Sequence, residues 1–245
     1  MNPLEQKEES GRSKDSGMKI KEVLKQCGTV VPGYKLWTEL SYWRKCYKRE
    51  GNSFSNDFYA RLMLSIANES SDLFLKDKIV ADFGCGPRGS LVWANSAAFR
   101  IGIDVLAQNY LQNFPGELAK HGMMYVACTE SHIPIPDEFC DVVYSVNSLD
   151  HAQNLLHICN ELRRILKPGG LLIGSFNLNH APQPAEPQTL NENILKKTLF
   201  RDFEIQHWWL SAPGEGKDAY QPLYSRELVD PGTKEAYLWA RAVKP

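Results

Sequence analysis

Between residues 18 and 76 the apolar positions recur at helical spacing. Leu36, Leu40, Trp43 and Tyr47 fall at i, i+4, i+7 and i+11, and Phe58, Leu62 and Ile66 lie four apart. Each set lines one face of a helix, so each segment offers an apolar stripe to a partner surface. The pattern predicts a helical cap that packs on the rest of the chain and can also close over a site. After Lys78 the texture changes to short apolar runs: Ile79 to Phe83, Phe99 to Val105, Met123 to Ala127, Asp141 to Val146 and Leu171 to Phe176. These alternate with helical stretches, which implies βαβ units and a parallel sheet. Leu155, Cys159, Leu162 and Leu166 predict an amphipathic helix stopped by Lys167-Pro168-Gly169-Gly170. Phe203 to Leu210 and Ala236 to Val243 read as two final strands.

Composition narrows the class. The chain has 245 residues, 43% of them apolar, with 28 basic against 29 acidic side chains and a net charge of -1. Nothing here resembles the basic footprint that a nucleic-acid backbone demands, so no nucleic-acid partner is expected. No stretch approaches the roughly 18 apolar residues of a membrane span, and the first 17 residues lack the apolar segment of a secretory signal. Residues 1–17 are expected to form a disordered leader, 18–76 the cap and 77–245 the main domain. The six cysteines, Cys27, Cys46, Cys85, Cys128, Cys140 and Cys159, form no C-x-x-C pair. Reduced thiols in a cytoplasmic protein are the expected state.

The first strand runs into Gly84-Cys85-Gly86-Pro87-Arg88-Gly89, which satisfies G-x-G-x-x-G after a strand and before a predicted helix. Glycines there let the chain turn sharply and its backbone approach a ligand. Asp104 ends the second strand, where a carboxylate can accept both hydroxyls of a ribose. That pairing suits NAD and S-adenosylmethionine equally. Asp82, just before the loop, would repel a pyrophosphate and favour an ammonium group. Pro87 removes a backbone donor where a phosphate would seek one, while Arg88 would welcome a phosphate.

VADFGCGPRGS, IGID, IPIPDEFCDVVYSVNSLDH and ELRRILKPGGLL stand in the order and spacing of a known family. The chain resembles the class I S-adenosylmethionine-dependent methyltransferases, and the wording GCGPRGS, NSLDH and EPQTL is similar to a small-molecule or natural-product tailoring subgroup. The resemblance implies an α/β fold with a Rossmann-like, seven-stranded, mostly parallel sheet beneath the N-terminal helical cap. It also implies S-adenosyl-L-methionine as cofactor. Asp82, Gly84, Cys85 and Gly86 would line its methionine part, Asp104 its ribose, and Val105 and Leu106 its adenine. Thr129 and Glu130 together would meet the adenine amino group, and backbone near Asn147 the methionyl end.

Methyl transfer from a sulfonium is an in-line displacement in which positioning supplies much of the catalysis. A hydroxyl acceptor also needs a base, a task that suits histidine. His121 and His157 read as helix-surface or helix-end residues, His132 lies beside the adenine region, and His207 sits on a late strand. His151 and His180 follow the carboxyl ends of the fourth and fifth strands, where an acceptor should sit, and are the catalytic candidates. Asp150, His151, His180 and Glu186 are the candidate acceptor-binding residues. A competing role for Asp150 is N-cap of the helix that follows. No carboxylate cluster matches the family's metal-dependent catechol branch, so no metal is expected. The aromatic cap residues, including Trp37, Tyr42, Trp43, Tyr47, Phe54 and Tyr59, belong mostly to packing. Any that line a mouth would suit an apolar, aromatic or glycosidic small molecule. A nicotinamide oxidoreductase and a cofactor-binding partner protein without chemistry are the alternatives.

Overall fold

A computed structural model describes residues 33–245 apart from 184, 215–218, 230, 231 and 233. The expected leader, the first part of the cap and Cys27 lie outside the described residues. The cap segment forms helix α1 (Tyr34–Arg49) and helix α2 (Phe58–Ala67), joined by a short turn. Leu62, Met63, Ile66 and Ala67 of α2 are buried against one face of the sheet, with Val80, Val142, Tyr144, Ile173 and Trp239. Leu40 and Cys46 of α1 pack with Phe54, Leu106, Tyr110, Phe114 and Leu118.

The sheet has seven strands: β1 (Ile79–Phe83), β2 (Phe99–Asp104), β3 (Met124–Ala127), β4 (Cys140–Val146), β5 (Leu166–Leu178), β6 (Glu204–Ser211) and β7 (Ala236–Val243). Their order is β3-β2-β1-β4-β5-β7-β6. The first five run parallel, and β7 lies antiparallel between β5 and β6. Strand order reverses between β1 and β4, and a crevice opens at the carboxyl ends of the strands beside such a switch point. The other face carries Ala81, Phe83, Ile103, Val143, Leu172 and Phe176 against helix α3 (Leu155–Ile165), whose Ile158, Cys159, Leu162 and Ile165 are buried.

Three local expectations are corrected. The α3 helix ends at Ile165, one residue early, and Lys167-Pro168-Gly169-Gly170 belongs to the bulged start of β5. Gly169 has φ 71 and its N–H donates to Lys244 O, so the breakers bend a strand onto the chain end as well as ending a helix. No helix follows the glycine loop: residues 88–98 run in turns, held by bonds such as Val92 N to Gly89 O, straight into β2. Third, His121 does end a short helix, as one of its two readings had it, but it is not a surface residue: it is buried, its Nδ1 2.6 Å from the Tyr125 hydroxyl and its ring against Gly89.

Candidate functional site

The carboxyl ends of β1 and β2 place two buried acids either side of the glycine loop. Asp82 is 3% exposed; its Oδ2 accepts a hydrogen bond from the Ser90 hydroxyl, and its Oδ1 has no hydrogen-bond partner among the described residues. Burial pushes its pKa up to about 7, against the Ser90 bond and with help from nearby Asp104. Asp104 accepts from Leu106 N at 2.8 Å through Oδ1 and from Gly86 N at 3.0 Å through Oδ2. Burial raises its pKa to about 6 although those two bonds oppose it. The Tyr110 side chain also hydrogen-bonds this carboxylate, which leaves it acceptor capacity for a ribose hydroxyl.

Two positions in the loop between them fit only glycine. Gly84 has φ +73, and a Cβ there would stand 2.2 Å from Ser148 Cβ. At Gly86, φ is +59 and a Cβ would stand 2.9 Å from the Trp43 ring. Backbone thus reaches the cavity without side chains intervening. A phosphate finds little here. With no helix after the loop there is no helix N-terminus aimed at it. Arg88 is also engaged: its two terminal guanidinium nitrogens each lie 2.6 Å from a Glu50 carboxylate oxygen, and Nη1 lies 2.8 Å from Ser55 O.

Opposite this end, α1 closes a cavity of about 630 Å³. Lys35, Thr38, Glu39 and Tyr42 fall at i, i+3, i+4 and i+7 and all line it. Lys35 Nζ lies 3.1 Å from Glu130 Oε1 and also donates to the His151 carbonyl, which ties α1 to the loops after β3 and β4. His151 Nδ1 is 3.3 Å from Glu39 Oε1, and its Nε2 is 3.9 Å from Glu186 Oε1. Burial disfavours the charged ring, but Glu39, Asp150 and Glu186 outweigh burial and hold the His151 pKa above its ordinary value. Asn147 adopts φ 47 at the end of β4; its side chain accepts from Ser175 Oγ at 2.8 Å and donates to the Tyr220 hydroxyl at 3.0 Å.

Residues 81–174 match the family model of the methyltransferase domain. Over that segment the chain is similar to a methyltransferase domain, and its seven-stranded sheet has the class I methyltransferase fold. S-adenosyl-L-methionine is the cofactor of this class I domain. An uncharacterized protein of Methanocaldococcus jannaschii is 29% identical over 192 residues, covering 74% of this chain and 75% of that protein. Among solved structures, the fold is similar to an S-adenosylmethionine-dependent methyltransferase from Mesorhizobium loti (TM-score 0.52, 17% identity, 69% of this chain and 92% of that one). It is also similar to the (4+2)-cyclase SpnF (TM-score 0.56, 19% identity, 76% and 81%). A third similar chain comes from the complex of the Haloferax volcanii Trm112 methyltransferase activator with a methyltransferase (TM-score 0.56, 15% identity, 86% and 97%).

The cavity is lined by Gly84, Cys85, Gly86, Asp104, Val105, Glu130, Asn147, His151 and Glu186 among the residues singled out from sequence. Asp82 lines an adjoining cavity with Tyr59 and Tyr220. Two expected adenine contacts are not among the lining residues. Leu106 is turned into the cap core with Tyr110 and Phe114, and Thr129 Oγ1 faces Ser131 and the His132 carbonyl in a local turn. Asp150 and His180 sit behind the wall, Asp150 Oδ2 3.5 Å from His180 Nε2. Asp150 does not cap α3; Asn154 does, accepting from His157 N at 3.2 Å. Lys35 and Glu39 escaped the sequence reading, whereas Tyr59 was among the aromatic residues read as able to line a mouth. For the first two a signal existed: the stripe Lys35, Thr38, Glu39, Tyr42 has the same helical spacing as the apolar one.

Proposed function

We propose that this protein moves a methyl group from S-adenosylmethionine to an oxygen or nitrogen of a small-molecule acceptor. The observation that carries this reading is that one cavity joins a cofactor end, built on Asp104 and the glycine loop, to a wall bearing His151 between Glu39 and Glu186. The residues at the first end fit the cofactor: the orphaned Asp82 Oδ1 suits an ammonium group, and Asp104 suits a ribose hydroxyl. Bound there, S-adenosylmethionine supplies a methyl group already activated by its sulfonium charge.

The chain's own task is then to position and deprotonate. Glu39 orients the His151 ring through Nδ1, leaving Nε2 on the cavity side to take a proton from a hydroxyl or ammonium acceptor. Tyr42, Trp43, Tyr59 and Tyr220 offer ring faces that suit an apolar, aromatic or glycosidic acceptor, as in secondary-metabolite tailoring. A volume of about 630 Å³ lies within the roughly 300–1,000 Å³ of small-molecule sites. With a net charge of -1, a nucleic-acid acceptor has no electrostatic support. The five described cysteines, all free and buried, support a reducing compartment such as the cytoplasm. No helix among the described residues is long and apolar enough to cross a membrane.

Fold likeness extends to SpnF, a cyclase, so the reaction rests on the site and must be tested there. Incubation with isotope-labelled methyl donor and a metabolite extract should give one labelled small-molecule product. Tight cofactor binding with no labelled product from any acceptor would instead favour a binding partner without chemistry.

A further inference from the structure

We propose that Asp150, His180 and Glu186 form a site for one divalent transition-metal ion, such as Zn²⁺ or Mn²⁺, behind the acceptor wall of the cavity. One ligand atom from each of the three lies within 4.8 Å of the other two. Asp150 follows β4, while His180 and Glu186 belong to the proline-rich loop after β5, so the cluster exists only in the folded chain.

The hydrogen bonding leaves two buried atoms of the cluster, Asp150 Oδ1 and His180 Nε2, without a partner among the described residues. Asp150 is 1% exposed, and its Oδ1 has no hydrogen-bond partner among the described residues. His180 Nδ1 lies 3.0 Å from the Ala181 carbonyl, which can only accept, so Nδ1 carries the ring proton. In the neutral ring Nε2 is therefore a lone pair. That atom is buried, makes no hydrogen bond, and stands 3.5 Å from Asp150 Oδ2. A lone pair facing a carboxylate is repulsive unless a cation lies between them, either a proton on Nε2 or a metal ion, and the titration below separates the two. An imidazole fixed by a carbonyl on its far nitrogen is the usual posture of a metal-bound histidine.

The surroundings hold these groups in place. Asn177 Nδ2 donates to Asp150 Oδ2 at 3.2 Å, and its own Oδ1 is a further buried acceptor without a partner among the described residues. Gln188 N donates to the Asp150 carbonyl, and Gln188 Nε2 to the Ala152 carbonyl, which pins the loop to the segment after β4. Within the loop, Gln183 and Glu186 exchange backbone hydrogen bonds at 2.8 and 3.0 Å, and this turn presents the Glu186 carboxylate. One imidazole with two carboxylates suits a borderline ion; Mg²⁺ prefers an all-oxygen octahedron. Glu186 also lines the cavity, so the ion would lie between the core and the acceptor space. This inference does not require methyl transfer.

The test uses the full chain stripped with a chelator, then titrated calorimetrically with Zn²⁺, Mn²⁺ or Mg²⁺ alone, with Mn²⁺ also followed by electron paramagnetic resonance. We expect one Mn²⁺ or Zn²⁺ per chain and far weaker Mg²⁺ binding. Glu186→Gln and His180→Ala should each lower transition-ion affinity by about tenfold or more. S-adenosylhomocysteine affinity, measured on each variant, reports whether the fold is intact; Glu186→Gln, at a partly exposed position, covers the case in which His180→Ala fails to fold. Absence of a one-to-one transition-ion complex, or equal affinity in Glu186→Gln and wild type, overturns the site. Failed metal binding with intact S-adenosylhomocysteine binding would leave the methyltransferase reading standing, so the two can fail separately.

Discussion

At the proposed cofactor end of the cavity, the groups on offer come from strand ends and main chain: Asp82, the turn at Gly84 and Gly86, and Asp104 with two backbone N–H groups on its carboxylate. At the acceptor end it is built from side chains on separate segments, with Glu39 from α1, His151 after β4 and Glu186 after β5. Backbone geometry at the first end is fixed by the sheet itself. The second end depends on how a helix and a loop dock, and few main-chain bonds cross it. One end can stay constant while the other is rebuilt for a new acceptor, which is how a common fold hosts many functions.

The sharpest way to break this division is His151→Ala. Turnover of the acceptor found in the labelled-methyl screen should fall by roughly 10²–10⁴-fold, with S-adenosylhomocysteine affinity within about threefold of wild type. Parallel loss of both quantities would show that the two ends are not separable. Asp104→Ala attacks the other end: removal of two charge-assisted acceptors should weaken S-adenosylhomocysteine by about 100-fold, read by calorimetry.

The third effect depends on pH. Asp82 and Asp104 have folded pKa values of about 7 and about 6, raised by burial above their unfolded values. A group raised in this way stabilises the ligand-free fold at low pH, and that contribution is lost as pH rises through 6 and 7. The cofactor needs both carboxylates ionised, so its affinity should run the opposite way, rising as pH passes through that window. The thermal shift induced by S-adenosylhomocysteine should therefore be larger at about pH 8 than at about pH 5.5. Remote titrating groups cancel in that difference. Asp82→Asn should remove the upper part of the rise.

The smallest effect is expected where the two ends meet. Lys35→Met removes the tie from α1 to Glu130 and should weaken S-adenosylhomocysteine only a few-fold, because Gln153 N still donates to Glu130. A loss as large as that of Asp104→Ala would mean that the cap, and not the sheet, grips the cofactor.

The same contrast explains what could be read in the chain. Strands β1 and β4 and both final strands were legible within a residue or so because their apolar runs are continuous or alternate cleanly. The glycine turn between Asp82 and Asp104 was legible because glycines report backbone turns, which local sequence encodes directly. The missing helix after Gly89 was not, since G-x-G-x-x-G describes the turn and says nothing of what the buried His121 ring and Arg88 do beside it. The neighbourhood of Asp150 was misread in part because a capping residue and a buried acid look alike in sequence. Only the docking of the loop after β5 brings His180 and Glu186 to it. Glu39 lay hidden for the same reason, on the polar side of a stripe whose partner is remote in the chain.

The central claim is that this glycine turn, flanked by two acids, holds a sulfonium nucleoside and rejects a diphosphate. Calorimetric titration of the wild-type protein with S-adenosylhomocysteine, repeated with NADH in its place, tests it most directly. The account predicts one S-adenosylhomocysteine per chain and no NADH binding that competes with it. Displacement of S-adenosylhomocysteine by NADH, or tighter binding of NADH, would contradict it.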